Sequence, residues 1–344
     1  MASLTLADLG RRMDPDGRIA DMSEILSQCN EVMDDIPMVE GNLVTGHVVT
    51  LRTALPKGTF RRFNQGVGYT KSGAAQITFG MAMLDAYSQI DKALADLGGN
   101  TAANREKEDV AHMEGMSQQM CGISMYGNAW TAPEQFSGFS TFYSALAATA
   151  QNGVNVFDCG GTASANASLW LIGWGESTAY GIYPKGLKGG LQFENKGDVV
   201  PAYDSSQRRY EAYTSYFSWR MGLAIEDWRY IVRMCNIDTT SAGLAGATPP
   251  DLFAIMSKAA VRLPTAGRAF SGITKTDAPN KGTPPVSLKF YCNRTVREYL
   301  DIQAIRDKNV LLRPTEYDGR PVVTFRGVPI GVVDQLLDTE ARVT

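Results

Sequence analysis

The apolar positions of the chain follow a helical rhythm in one region and a strand rhythm in others. Within residues 81–127, apolar side chains recur every three or four positions, first over 84–97 and again over 110–123. This spacing places one apolar stripe on each half of a long helix. Gly98 and Gly99 fall between the two halves, and glycines favour a bend in a helix. We therefore predict a long, one-sided helix with a hinge at these glycines.

Further along the chain, runs of β-branched and aromatic residues predict strands. The expected strands cover 168–174, 179–184, 209–219, 223–233 and 287–292, and a last ribbon covers 321–333. Helical spacing returns at 250–262 and 294–305. Long strands followed by helices predict an α+β fold built around an extended, mostly antiparallel sheet.

A β-hairpin is predicted before the long helix. Two runs with strand composition, 47–53 and 59–63, flank Pro56, Lys57 and Gly58. Proline and glycine between two such runs are typical of a turn. An isolated hairpin is only marginally stable in water, so something outside it must hold this one in place.

The charge of the chain reverses at residue 41. Residues 1–40 contain nine carboxylates and only three arginines, so this N-terminal arm carries six excess negative charges. Residues 41–84 contain no acid and five cations, which are Arg52, Lys57, Arg61, Arg62 and Lys71. The whole chain has a net charge of only −3, so no overall basic field would bind nucleic acid.

The sequence contains few residues and motifs that are typical of catalysis. It has two histidines, His47 and His112, and neither has a second histidine or a cysteine at metal-ligand spacing. The glycine-rich stretch 66–73 lacks the order of a phosphate-binding loop, and no nucleophile elbow occurs. We predict no catalytic site, no cofactor and no metal, and we expect the five cysteines to be buried and reduced.

The chain also lacks a run of about 18 apolar residues that could span a membrane. Its first residues become charged too early for a secretory signal, so a cytoplasmic origin is expected.

The order of parts and several long strings resemble the major capsid proteins of tailed bacteriophages with the Hong Kong 97-type fold. The strings that carry the resemblance include TALPKGTFRRFNQGV, LDAYSQIDKALADLGGNTAANREKEDVAHMEGM, ASLWLIGWGESTAYGIYPKG and RRYEAYTSYFSWRMGLAIEDWRYIVRMCNID. The resemblance implies five parts: an N-terminal arm (1–40), an extended hairpin called the E-loop (41–80), a spine helix (81–127), a peripheral-domain sheet with loops (128–240) and an axial-type lobe (241–344). The strands at 169–233 precede the helices at 250–305, the reverse of the order in the family's founding member, so we hypothesise a permuted connectivity.

By this resemblance, the protein assembles with itself, as hexamers and pentamers, into the icosahedral head that encloses a phage genome. The implied partners are a scaffolding protein, a portal, a decoration protein and packaged double-stranded DNA held by weak, non-specific contacts. The implied location is the virion capsid, after synthesis in the host bacterial cytoplasm.

The contacts between subunits are predicted from charge. The five cations of 41–84 would face acidic residues of a neighbouring subunit, either on its N-terminal arm or at four positions of its spine helix. Those positions are Glu106, Glu108, Asp109 and Glu114. Alternatives are the shell of a cellular encapsulin compartment, an α/β hydrolase or transferase, and a monomeric binding module.

Overall fold

The structure is a computed structural model that describes residues 28–96, 101–146, 152–162, 164–196, 200–203, 207–240, 244, 249–264, 286–306, 312–317 and 320–344. The helices are α1 (Glu31–Asp35), α2 (Lys92–Ala95), α3 (Thr101–Tyr126), α4 (Phe139–Phe142), α5 (Leu252–Arg262) and α6 (Arg294–Arg306). The strands are β1 (Met38–Glu40), β2 (Gly46–Ala54), β3 (Gly73–Asp91), β4 (Val156–Asp158), β5 (Asn166–Trp174), β6 (Ala179–Tyr183), β7 (Leu191–Asn195), β8 (Val200–Tyr203), β9 (Arg209–Ile225), β10 (Ile231–Asp238), β11 (Ser287–Cys292), β12 (Leu312–Tyr317), β13 (Arg320–Phe325) and β14 (Val328–Val332).

The strands join into one mixed sheet whose main path is β12-β13-β14-β11-β5-β6-β9-β3-β2. Strand β9 is antiparallel to β3 on one side and to β6, β7 and β8 on the other. Strand β5 lies between β10 and β11, and both of these neighbours are antiparallel to it. The sheet therefore has one part centred on β9 and another centred on β5.

Strand β5 is buried along its whole length because both of its faces are covered. Trp170, Ile172 and Trp174 belong to a core with the C-terminal half of α3 and with α4. Leu169 and Leu171 point the other way, into a second core formed with α5 and α6. Since successive side chains of a strand point to opposite faces, one strand supplies both cores.

The predicted helix over 84–97 is wrong for most of its length. Residues up to Asp91 belong to β3, where eleven consecutive pairs with β9 run from Met81↔Gly222 to Asp91↔Ala212. The three-residue spacing of Leu84, Tyr87 and Ile90 imitates a helix, but the burial alternates with period two and leaves Tyr87 exposed. Long-range pairing with β9 overrides the local pattern. The long helix begins at Thr101 instead.

The predicted hairpin exists, but its second strand is different. Strand β2 pairs with residues 73–80 of β3, and residues 59–63 are not a strand. The connection is therefore a long loop, 55–72, and not a tight turn at Pro56, Lys57 and Gly58.

The predictions for the remaining elements are close. Strand 287–292 and the helices near 250–262 and 294–305 are confirmed, with ends shifted by at most two residues. The two strands expected at 209–219 and 223–233 are instead one strand, β9, that continues to Ile225, and a second, β10, that starts at Ile231. In the described part of the chain, no helix combines the length and apolar character needed to cross a membrane.

The prediction that all cysteines are buried is wrong for Cys29, which is exposed, and Cys159 is half-buried. Cys121, Cys235 and Cys292 lie in the cores. Burial raises the pKa of the Cys121 thiol to about 12. Such thiols are inert small apolar groups, as the sequence predicts.

A buried ion pair fastens the C-terminal segment to the sheet. Arg233 of β10 donates to Glu340 Oε2 at 2.8 Å, to Ser168 Oγ at 3.1 Å and to the Tyr143 carbonyl at 2.8 Å. Glu340 also accepts hydrogen bonds from the hydroxyls of Ser168 and Tyr126. Both charged side chains are at most 6% exposed. A buried pair of this kind is tolerated because its remaining polar atoms are also paired.

We predict that Glu340→Gln destabilises the unassembled subunit by about 3–5 kcal/mol, because it leaves the Arg233 charge buried without an anion. Urea unfolding followed by circular dichroism measures this free energy. Glu194→Gln is the matched control, since Glu194 pairs with Lys196 on the surface and exposed pairs contribute little. Equal effects of the two substitutions would contradict the assignment.

Candidate interaction surfaces

The hairpin arm, which we define as residues 46–80, has a base that packs on the body, where Val49 and Phe79 are buried, and a far part without cover from its own chain. Every residue from Arg52 to Ser72 is exposed. Phe60, Phe63 and Tyr69 are fully exposed. Scattered exposed apolar residues are ordinary, but three bare aromatic rings on one loop are typical of an interaction site.

A local turn orders the end of this arm. The Gln65 N–H donates to the Arg62 carbonyl at 3.2 Å, and Asn64 has a φ of 61°. Asparagine tolerates this left-handed conformation better than most residues. The turn therefore holds Phe63 next to Arg62 in a defined conformation.

All five cations of the arm lie on its exposed part. Arg52, Lys57, Arg61, Arg62 and Lys71 are exposed. Within the described ranges, no ion pair joins any of them to a carboxylate of the same chain. The structure thus leaves these charges available, and it brings them together on one arm as the sequence predicts.

A polar cluster fixes the base of the arm. Asn42 exchanges two hydrogen bonds of 2.8 Å with the Val48 backbone, and its own N–H donates to His47 Nδ1 at 3.2 Å. His47 Nε2 lies 3.1 Å from the Tyr180 hydroxyl. Burial, followed by the nearby Glu226 carboxylate, raises the pKa of Tyr180 to about 12. Both nitrogens of His47 are therefore engaged in holding the arm to the sheet.

The four predicted acidic positions lie on α3, but they differ in their surroundings. Glu106 is exposed. Glu108 is 3.9 Å from His112, and Asp109 accepts a hydrogen bond from Ser215 Oγ at 3.0 Å. Glu114 accepts hydrogen bonds from the Gln28 N–H at 3.0 Å and from Gln118 Nε2 at 2.8 Å. Both of these donors are neutral groups.

A shallow, open groove runs along α3. It is lined by Val110, Met113, Glu114, Ser117, Leu191 and Trp219. The sequence places Val110 and Met113 on the apolar stripe of the long helix, and in the structure they are 40% and 36% exposed. The stripe is buried only from Met116 onward, because α3 packs closely on the core through its C-terminal half.

Two carboxylates of the acidic N-terminal arm form ion pairs within their own chain. Lys289 Nζ contacts carboxylate oxygens of Glu31 and Asp35, each at 2.7 Å. Asp35 also accepts a hydrogen bond from the Tyr291 hydroxyl. Burial opposes the charge on Lys289, but its hydrogen bonds to these two carboxylates outweigh that effect and raise its pKa. Residues 28–41, which we call the strap, are thus bound to their own body.

A second ionic contact holds the start of the strap. Arg294 donates two hydrogen bonds, of 2.6 and 2.8 Å, to the two oxygens of Asp334. Asp334 also accepts from the Cys29 N–H at 2.9 Å. The Arg294 hydrogen bonds lower the pKa of Asp334, although partial burial acts in the opposite direction. Sequence reasoning missed these partners because they lie 40 and 305 positions apart, with no local signal.

Two predicted sites are not placed by the structure. Gly98 and Gly99 lie outside the described residues. The neighbouring helices end at Ala95 and begin at Thr101. Most of the acidic arm, residues 1–27, also lies outside them.

Comparison with known proteins identifies the family to which the chain belongs. Residues 14–344 match the family model described as "Major capsid protein GP7", so the chain belongs to this family of major capsid proteins. The chain is also 30% identical to a chain in the cryo-EM structure of bacteriophage Epsilon15, with a TM-score of 0.73 over 100% of this chain and 98% of that one. It is a structural protein of a phage capsid.

Two likenesses to other solved structures are more distant. The capsid of bacteriophage JBD30 is 8% identical, with a TM-score of 0.45 over 97% of this chain and 99% of that chain. A SrpI encapsulin from Synechococcus elongatus is 8% identical, with a TM-score of 0.41 over 69% of this chain and 96% of that chain. A search of curated proteins gives no match.

The lowered pKa of Asp334 generates a prediction for acid stability. Because the folded-state pKa lies below the ordinary value, the Arg294–Asp334 contact stabilises the fold at pH values above about 4 and is lost as the pH falls through the folded-state pKa. We expect Asp334→Asn to lower the melting temperature by a similar amount at pH 7 and pH 5, and by less at pH 3.

Thermal melts of the unassembled subunit at these pH values measure the effect. The exposed Asp338 supplies the control, since Asp338→Asn should leave the melting temperature within error at each pH. A loss from Asp334→Asn that is as large at pH 3 as at pH 7 would show that the contact does not depend on the ionised carboxylate.

Proposed function

We propose that this capsid protein assembles with copies of itself, as hexamers and pentamers, into a closed icosahedral shell, and that the hairpin arm is the E-loop that lies on a neighbouring subunit. The observation that supports this most directly is the arm itself. Its far part, from Arg52 to Ser72, presents five cations and three aromatic rings and is exposed at every residue. A surface of this kind is stabilised when another molecule covers it.

The geometry of β3 supports a contact between subunits. Leu84 pairs with Trp219 in the body of the sheet, and the same strand begins at Gly73, eleven residues earlier. At about 3.3 Å per residue, the start of the strand lies roughly 35 Å from that pair. The loop beyond it is therefore held away from its own body and toward a neighbour.

Magnitudes indicate that charge steers this contact more than it stabilises it. An exposed ion pair contributes at most about 1 kcal/mol. Complete burial of one aromatic side chain contributes about 1.5–3 kcal/mol. The cations would set the register between subunits, and the rings would supply most of the binding energy.

The remaining parts of the proposal follow the family resemblance. The arm 1–40, the E-loop 41–80, the spine helix within 81–127, the peripheral sheet 128–240 and the axial lobe 241–344 would be the structural units, connected in a permuted order. A scaffolding protein, a portal and a decoration protein are proposed as partners. The net charge of −3 supports only weak, non-specific contact with packaged double-stranded DNA. Synthesis would take place in the host bacterial cytoplasm.

The alternatives have less support. The encapsulin likeness is weak and does not argue for a cellular compartment. Membership in a family of structural capsid proteins argues against a hydrolase or transferase. A monomeric binding module would leave the arm without a partner.

We predict that Arg61→Glu combined with Arg62→Glu leaves a soluble, folded subunit that assembles poorly. Both side chains are exposed, so folding should not change, whereas the register contact with an acidic neighbour would become repulsive. Sedimentation and negative-stain imaging measure particle yield, which we expect to fall at least tenfold. The control is Lys185→Glu with Lys188→Glu, an equal charge change at exposed positions of the body. An unchanged yield from the arm variant would contradict docking of the arm.

Gly98 and Gly99 remain our proposed hinge for a change in shell shape. Replacing both with alanine removes backbone freedom, so we expect slower or incomplete expansion of a precursor shell, measured by its diameter in electron micrographs. Unaltered expansion of the precursor shell would contradict the proposed hinge at these glycines.

A further inference from the structure

We infer that the contact between subunits is anchored by Phe60 and Phe63 of one copy, seated in the α3 groove of a second copy. This inference rests on the proposed function and adds the two surfaces that meet. The sequence reveals only charge complementarity, whereas the structure adds an apolar anchor and an apolar receiving site.

The groove is built from three elements that face one another. The odd-numbered residues of β9 point toward α3: Ser215 donates to Asp109, and Phe217 stacks on His112 with ring centroids 6.0 Å apart. Trp219 continues this row, and Leu191 of β7 is its direct pairing partner. These two side chains form the floor on the sheet side of the groove.

The other wall comes from one face of α3. Val110, Met113 and Ser117 follow one another at helical spacing, so they share a face. Phe193 extends the apolar surface along β7, since its ring lies 5.3 Å from that of Phe217 and it is largely exposed. The side chains of Val110, Met113, Leu191 and Trp219 therefore form an apolar strip along the groove, which Glu114 and Ser117 also line.

The rim of the groove carries negative charges, whereas the arm carries only positive ones. Glu106 and Glu114 are four residues before and after Val110, so both lie on the same helix face. Glu106 is exposed, and Glu114 accepts hydrogen bonds from two neutral donors, the Gln28 N–H and Gln118 Nε2. On the arm, Arg61 and Arg62 stand between the two phenylalanines. Aromatic rings flanked by cations thus match an apolar groove flanked by carboxylates.

The occupant is a second copy and not the same chain. The rigid run of β3 between the groove and the arm separates the two surfaces within one subunit, and the turn at 62–65 keeps the rings at the far end. A contact between two different patches of identical subunits is heterologous, and it generates a ring when the rotation between subunits closes. A shell subunit requires this type of contact.

The arm half of the contact is tested by Phe60→Ala combined with Phe63→Ala. Both rings are fully exposed in the subunit, so its melting temperature should not change, and particle yield should fall at least tenfold. Trp130→Ala is the matched control, because it removes a ring that is 89% exposed and lies outside the arm. We expect it to stay within twofold of the wild type, and an equal loss from both variants would overturn the assignment of the anchor.

The groove half is tested by Val110→Arg, which places a cation and a bulky side chain in the apolar strip. This position is already 40% exposed, so folding should be retained. Yield should fall as far as in the double alanine variant, and combining the two changes should add little, because both remove one contact. Fully additive losses would show that the two surfaces do not meet.

Direct contact is tested by co-assembling two cysteine variants of different mass in a Cys29→Ser background. Phe63→Cys on one and Met113→Cys on the other should form a disulfide between copies when an oxidant is added. Met83→Cys is the control, since Met83 is exposed on the opposite sheet face. A disulfide between Phe63→Cys and Met83→Cys would overturn this inference alone. The absence of a disulfide between Phe63→Cys and Met113→Cys in intact shells would do the same. Failure of the wild type to form any shell would instead reject the proposed function.

Discussion

The structure depends on one strand that belongs to two parts of the molecule. Residues 81–91 of β3 pair with β9 inside the body, and residues 73–80 pair with β2 in the arm. Because the strand is continuous, the body fixes the direction in which the arm extends, and the polar cluster of Asn42, His47 and Tyr180 secures the point of departure. The arm is stable as a ribbon only while β9 holds the other half of its longer strand. The exposed loop at its end is therefore presented in a defined direction without any support from its own chain.

The ends of the chain reinforce this body. The strap is clamped by Lys289 and Arg294, and the C-terminal segment is fastened by the buried pair of Arg233 and Glu340. These contacts connect residues 40 to 258 positions apart, so each of them joins distant parts of the chain. A subunit in a closed shell must transmit force between neighbours, and buried or bidentate ionic contacts resist shear because their geometry is specific. The continuously exposed run, residues 52–72, lies where we propose that a neighbour binds.

Much of the fold could be predicted from local pattern, and the errors have one cause. The strand at 169–174, LWLIGW, is apolar or aromatic on both faces, and its burial on both sides needs no knowledge of partners. Residues 84–91 were ambiguous, since Leu84, Tyr87 and Ile90 satisfy a helical spacing, and only pairing with the distant β9 makes them a strand. The charges of the arm were visible in the sequence. The groove was not, because Leu191 and Trp219 approach Val110 only after the sheet has formed. The available signal for an apolar anchor was the pair of phenylalanines in TFRRF. The strand-like composition of this stretch predicts a strand, whereas the structure has a loop there.

The central claim is that residues 55–72 find their cover on another copy of the chain. A near-atomic cryo-EM reconstruction of the assembled particle tests it most directly, through the exposure of Phe60 and Phe63 in each subunit. The account predicts that both rings are buried against the long helix and the edge of the sheet of a neighbouring copy. Rings that remain in solvent, or that fold back onto their own subunit within an intact shell, would contradict it.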